Sequence, residues 1–293
     1  ALSSAASDVY KRQKYSSKIG IGLSIAAAFV SVGAAALREN LTIRHYTLHT
    51  DKITAPIRLA VMTDLHSTLY GDKQEKLLRV VKDENPDAIL LVGDIVDDRR
   101  TAVGAKCLFA GIGRRFPCYY VTGNHEFRSG KIDTIKKMIR SYGITVLEGK
   151  AIKPVWQNIL IAGIDDPAGF SKSDPSGWQK QLEECSRAAA EKENAYRILL
   201  CHRPERTDAY SKSGFELALC GHAHGGQVRI PCLINGLYAP NQGLFPKYAG
   251  GCYQLGNDVT MIVSRGLCRN ELPRVFNPPE LVIVDIKPKN PAK

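Results

Sequence analysis

The chain has 293 residues, 44% hydrophobic and 24% charged, with 25 Gly and 15 Pro, which excludes disordered, collagen-like and low-complexity proteins. A formal net charge of +11 favours anionic partners such as phosphate esters or lipid head groups. The basic residues form no long consecutive block, so a nucleic-acid-binding arm is excluded.

Residues 1–18 form a basic N-terminal tail, whose opening ALSSAASDVYKRQ reads as translated adaptor sequence. Within residues 1–38, Lys11, Arg12, Lys14, Lys18 and Arg38 stand against Asp8 alone, a net of +4 that leaves +7 on the rest. Ile19 to Leu37 is a run of 19 residues without a charge, close to the roughly 20 of a membrane-spanning helix. It reads as an N-terminal apolar helix that anchors the chain. A cleaved signal peptide with an A-x-A site at Ala34-Ala35-Ala36 is the rival, and a buried Ala-rich helix is the third reading. The cations precede the apolar run, so the positive-inside rule places the remainder outside the cytoplasm. Residues 38–56 read as a linker and lead-in strand, and residues 57–293 as one domain.

From residue 57, short apolar runs alternate with helical spacing. Strands are predicted at Ile57–Met62, Ala88–Val92 and Cys118–Val121, each breaking at a polar pair: Thr63-Asp64, Gly93-Asp94 and Gly123-Asn124. Helices are predicted over Lys73–Asn85, residues 103–114 and residues 131–141, the first stopped by Pro86. The second half reads as strands at Ile144–Leu147, Val155–Ala162, Arg197–Cys201, Glu216–Cys220, Gln227–Ile230, Val259–Val263 and Leu281–Ile286, interrupted by a helix near Ser176–Asn194. The alternation implies a layered α/β domain.

Five of the seven His (His66, His125, His202, His222 and His224) stand at or just after predicted strand ends, the edge where open α/β sheets place their ligands. They come with Asp64, Asp94, Asn124 and Glu126. Asp64-x-His66 or Gly93-Asp94 alone signals little more than a turn. His222-x-His224 says more, because imidazoles two apart in an extended segment face one side, and the flanking glycines allow close backbone approach. Imidazole, carboxylate and amide oxygen together suit divalent Mn, Fe or Zn. Cys201 and Cys220 offer a thiolate alternative, but strand residues adjacent to a ligand point to the opposite face and read as core. Eight Cys and no CxxC leave the redox compartment open.

In order and spacing, DxH, GDxxD, GNHE, a lone His and GHxHGGQ resemble the calcineurin-like metallophosphoesterases across residues 57–293. The segment from Cys220 to Pro231, Phe245-Pro246-Lys247-Tyr248 and Ser264-Arg265-Gly266 are similar to the YaeI/YkuE-like bacterial branch, which carries an export signal or membrane anchor. The resemblance implies a four-layer αββα sandwich of two mixed sheets flanked by helices. It implies that Asp64, His66, Asp94 and His224 hold a first divalent metal, and that Asp94 bridges to a second on Asn124, His202 and His222. His125 then acts as the catalytic acid, with Glu126 orienting it. The implied chemistry is hydrolysis of a phosphoester by a shared water deprotonated near neutrality.

Relatives that hydrolyse UDP-2,3-diacylglucosamine make a lipid or nucleotide-sugar-lipid substrate one expectation. Monoesterase, nuclease and catalytically silent scaffold are the alternatives. No nucleic-acid partner is expected, and residues 19–37 are the expected membrane contact. Arg265 and Asn124 are candidate substrate contacts, with Arg229 beside them; Arg99 and Arg100 read as solvated surface. The rims at 165–178 and 231–256 carry Phe170, Trp178, Tyr238, Phe245, Tyr248 and Tyr253, which read as packing residues.

Overall fold

The computed structural model describes residues 14, 24, 27, 30–171, 173–256, 258–269 and 273–289. Two six-stranded sheets organise them. The first comprises β1 (Thr42–Thr50), β2 (Ile57–Met62), β3 (Ala88–Val92), β4 (Cys118–Val121), β5 (Thr145–Val146) and β14 (Glu280–Pro288), in the order β1-β14-β2-β3-β4-β5. The second comprises β6 (Lys150–Ile152), β7 (Ile159–Gly163), β8 (Tyr196–Leu200), β9 (Leu217–Cys220), β12 (Gly251–Leu255) and β13 (Val259–Val263), in the order β12-β13-β9-β8-β7-β6. A small hairpin, β10 (Tyr238–Ala239) with β11 (Gly243–Leu244), stands apart from both. Each sheet is mixed: β2 through β5 run parallel, as do β7, β8, β9 and β13, while β14 and β12 join antiparallel.

The layering follows from side-chain alternation along strands that are buried on both faces. Ala60, Met62, Ile89, Leu91 and Tyr120 point outward onto the helices Glu75–Glu84, Val103–Ile112 and Ile132–Ser141. Their neighbours Leu59, Val61, Leu90, Val92 and Val121 point inward against Ile159, Ile161, Ile198, Leu200, Leu217 and Leu219 of the second sheet. The far face of that sheet, with Leu160, Leu199, Ala218 and Met261, packs on Trp178, Leu182 and Cys185 of the helix Gly177–Ala190. Cys201 and Cys220 belong to this third cluster, as their strand parity requires. The result is helix, sheet, sheet, helix.

The lead-in strand is an integral edge, with β1 paired in parallel to β14 along its length. The first helix starts later than its spacing implies, after a 3₁₀ turn at Asp72–Gln74, and ends where Asn85 turns left-handed ahead of Pro86. Two strand expectations fail. Residues 155–158 form a turn, with Val155 fully exposed. Gln227–Ile230 makes only isolated bridges, because Gly225, Gly226 and Gln227 all take positive φ and no ladder can start there.

Residues 19–23, 25, 26, 28 and 29 of the apolar run at 19–37 lie outside the described residues. Residues 30–36 are helical, a length of about 10 Å against the roughly 30 Å of a bilayer core. Among the described residues no helix is long and apolar enough to cross a membrane.

Candidate metal centre

The carboxyl ends of β2, β3, β4, β8 and β9 converge where the two sheets meet, and the loops leaving them carry all the candidate metal ligands. Asp64 and His66 follow β2, and Asp94 follows β3. Asn124, His125 and Glu126 open the short helix Asn124–Arg128 after β4. His202 follows β8, and His222 and His224 follow β9.

These loops lock onto one another through the backbone. Asp64 N–H donates to Gly93 O at 3.0 Å and His66 N–H to Asp94 O at 2.9 Å. His125 N–H donates to Asp94 Oδ1 at 2.8 Å, and His222 N–H reaches both oxygens of Asp64 at 3.1 Å. Asp64, His66, Asp94, His222 and His224 all hold positive φ, between 46° and 67°. Non-glycine residues adopt that region at a cost of roughly 1–3 kcal/mol each, so the surrounding contacts must over-determine it. The glycines leave no room for an alternative: a Cβ on Gly93 would sit 2.4 Å from His202 Nδ1, and one on Gly221 2.4 Å from Asp64 Oδ2.

The imidazoles are aimed. His66 Nδ1 is 2.9 Å from Asp97 Oδ2, His202 Nδ1 is 2.9 Å from Val92 O, and His224 Nδ1 is 3.0 Å from Cys268 Sγ. Each contact fixes the ring and turns Nε2 inward, the arrangement in which an outer partner orients a ligating histidine. His222 is turned the other way: its Nε2 meets Asn241 Oδ1 and Arg203 Nη1, both at 3.0 Å, so Nδ1 is its ligand atom.

The inward atoms crowd together. His202 Nε2 lies 3.2 Å and His66 Nε2 3.7 Å from Asp94 Oδ2, and His224 Nε2 lies 3.6 Å from Asp64 Oδ1. His66 Nε2, His202 Nε2, Asp94 Oδ2 and Asn124 Oδ1 are buried without a hydrogen-bond partner. Four unpartnered ligand atoms in one place is an arrangement that cations resolve. Asp64, His66 and Asp94 form one group with metal-ligand spacing, and Asp94, His202 and His222 form a second that shares Asp94. The donor set therefore fits divalent metals.

Electrostatics agree. Burial would lower the His202 basicity, but the Asp94 charge and its hydrogen bond outweigh it and push the ring up to about 10. A proton takes the cation's place there. Burial and the neighbouring positive charge hold His222 and His224 well below the usual histidine value, leaving them neutral and ready to ligate. Asp64 is pushed up by burial, whereas in Asp94 the His202 charge overcomes burial and holds the carboxyl well below its ordinary value.

One expected role is corrected. Glu126 does not orient His125. Its carboxylate accepts from the backbone N–H groups of Asp94 (3.0 Å), Ile95 (2.7 Å), Val96 (3.0 Å) and Gly123 (2.9 Å), which leaves it no lone pair for an imidazole. The residue that holds His125 is Asp98, with Oδ1 2.6 Å from Nδ1. His125 Nε2 then faces Asp94 Oδ2 at 4.0 Å, and the ring stands edge-on to His66, centroids 4.4 Å apart. Arg265, expected at the substrate, is paired with Glu280, its Nε and Nη2 both 2.6 Å from Glu280 Oε2. Its backbone lies close, since a Cβ on the next residue, Gly266, would meet Asp64 Cβ at 2.7 Å.

The sequence pointed to none of Asp98, Asp166, Arg203, Asn241 or Cys268. Asp166 grips Arg203 through two oxygens, at 2.6 and 2.9 Å, and Arg203 Nη1 donates to Asn241 Oδ1 at 2.5 Å. The Asp97-Asp98 pair was the one visible signal. Of the rim aromatics, Trp178 packs in the core, while Tyr238 and Phe245 are exposed.

A layered α/β sandwich with a cluster of His, Asp and Asn at its strand ends defines a metal-dependent hydrolase. The chain belongs to the calcineurin-like phosphoesterase family, whose pattern matches residues 57–226. That is a family of phosphoester hydrolases that use divalent metal ions. An uncharacterized metallophosphoesterase of Aquifex aeolicus is 28% identical over 257 residues, covering 85% of this chain and 93% of its own. The Escherichia coli phosphodiesterase YaeI is 28% identical over 223 residues, 73% of this chain and 76% of its own. A Campylobacter jejuni metallophosphoesterase, also uncharacterized, is 28% identical over 80% of this chain, which spans 60% of that relative's length.

Proposed function

We propose that the chain is a phosphodiesterase whose two divalent cations are held by Asp64, His66, Asp94 and His224 on one side and by Asp94, Asn124, His202 and His222 on the other. The observation that supports this reading most is the set of buried, unpartnered ligand atoms crowded around Asp94, on rings aimed from outside. Cations there supply Lewis acidity toward a phosphoryl oxygen and make water more acidic. His125 presents Nε2 to the departing oxygen and gives it a proton, while Asp98 holds Nδ1. Glu126 keeps the Asp94 loop in shape. The site is lined by polar groups at the mouth and closed beneath by the inner core between the sheets.

Diester preference is carried over from YaeI, the relative named a phosphodiesterase. A lipid-linked or nucleotide-sugar substrate agrees with the basic surface, and an extracytoplasmic position agrees with the cations ahead of the apolar run.

The test takes the full chain, stripped of metal and resupplied with Mn²⁺, on an aryl phosphodiester and the matching monoester. Mn²⁺-dependent diester turnover is expected, with His125→Ala slower by roughly 10²–10⁴-fold at unchanged metal content. Turnover of the monoester alone replaces the diester reading. Metal loss in step with activity in His125→Ala makes that residue a support rather than an acid.

A further inference from the structure

Exposed large apolar side chains concentrate in one stretch of the described residues: Ile230 (40% exposed), Leu233 (77%), Leu237 (37%), Tyr238 (54%), Leu244 (67%) and Phe245 (65%). A soluble surface scatters such residues singly, and a contiguous patch marks a contact surface. We propose that this stretch, centred on the β10–β11 hairpin, is a membrane-facing surface that seats the metal centre against an anionic lipid bilayer.

Charge selects the partner. From Leu217 to Asn257 the sequence has no Asp or Glu, and its fixed charges are Arg229 and Lys247. Lys247 is exposed and lies 5.1 Å from the Tyr248 ring, so its cation sits beside an aromatic at the edge of the patch. Apolar and aromatic groups beside an exposed cation, with no acidic residue among them, fit the interfacial zone of a bilayer, where anionic head groups meet acyl chains.

Position selects it too. The hairpin is fastened to the centre. Asn241, in the turn between β10 and β11, lies 3.0 Å from His222 Nε2, and Leu237 N–H donates to Gly226 O at 2.9 Å. The N-terminal segment reaches the same side of the fold: Phe276 N–H donates to Ala36 O at 2.7 Å, and Val275 bridges Val228, two residues from Ile230. The apolar run at 19–37 ends on this side, and its residues Val30, Val32 and Leu37 are exposed. A bilayer touching this face would meet the mouth of the metal centre. The proposal concerns docking and does not depend on the substrate reading.

The experiment places a reporter in the patch. Phe245→Trp in the full chain is mixed with vesicles of phosphatidylcholine, alone or with about 30% phosphatidylglycerol, whose acyl chains carry bromine. Quenching of the introduced indole's emission beyond the wild-type signal of Trp156 and Trp178 is expected, at roughly tenfold lower lipid when phosphatidylglycerol is present. The pair Leu244→Ser and Phe245→Ser should weaken vesicle binding by about 10–100-fold and leave turnover of a soluble diester unchanged. Vesicle binding through residues 19–37 alone would leave the introduced indole unquenched and overturn the proposal. So would a concentration-dependent dimer that the serine pair abolishes, which would make the patch a contact between two copies.

Discussion

Replacing Glu126 with Gln separates two roles that a carboxylate in this position can play. The side chain is fully buried, and its oxygens accept four backbone N–H groups: Oε2 from Asp94 and Gly123, Oε1 from Ile95 and Val96. Burial and the nearby Asp94 charge push its pKa up to about 7, against the pull of the amides. A glutamine keeps one acceptor and turns an NH₂ toward the other pair, so two buried N–H groups lose their partner and face a donor. At about 1–3 kcal/mol for each unsatisfied group, the substitution costs about 2–6 kcal/mol. For a domain of this size that lowers Tm by about 10 °C. The loss should appear in the metal-free protein, by thermal unfolding followed in far-UV circular dichroism, because the hydrogen bonds need no metal. Glu126→Ala, which strips all four amides, should be worse and fail to accumulate as folded protein. A Glu126→Gln protein that melts within about 2 °C of wild type yet turns over diester a hundredfold more slowly would refute this reasoning. It would return Glu126 to a role at His125.

The adjacent carboxylates Asp97 and Asp98 should divide cleanly. Asp97→Asn loosens His66 and is expected to weaken Mn²⁺ binding by about 10–100-fold, read by calorimetry. Asp98→Asn should leave the bound metal count intact and lower kcat by roughly 10–100-fold with KM little changed. Gly93→Ala drives a methyl to within 2.4 Å of His202 Nδ1 at a φ of +80°. The expected result is lost metal together with at least about 1–3 kcal/mol of stability, read by metal analysis and urea unfolding. Because His202 is raised to about 10 in the metal-free protein, it is protonated at pH 8, and a metal must displace that proton. Calorimetry in buffers of different ionisation enthalpy should show about one proton released per chain, with affinity falling as pH drops; no release would mean that His202 stays outside the coordination sphere.

What could be read from the chain alone was whatever a ligand's chemistry demands at a strand end. Asp64, Asp94, Asn124 and the five histidines had to be of those residue types, and each follows an apolar run short enough to be a buried strand. Glu126 sits inside the same motif, and its chemistry suggested a partner one residue away. Its partners are instead backbone amides, three of the four lying 30 to 32 residues back. Backbone donors carry no residue identity, so a carboxylate that binds them leaves no trace of its job in the sequence. Arg203, Asp166 and Asn241 were hidden for a related reason. They come from three loops far apart in the chain, and only the side-by-side placement of β7, β8 and β9 in one sheet, with the β10–β11 turn beside it, brings them to His222.

Periodicity misled where strand-like residues lacked a ladder to join. Val228 and Ile230 alternate like a strand, but the left-handed turn through Gly225, Gly226 and Gln227 that carries His224 into place leaves the following residues off the sheet. The exposed surface lies beyond that turn. In the loop that follows, Ala239 reaches the core, while Leu233, Tyr238, Leu244 and Phe245 stay outside. A fold that needed these residues only for packing would have buried them. Their exposure beside His222 sets the apolar surface next to the metal centre.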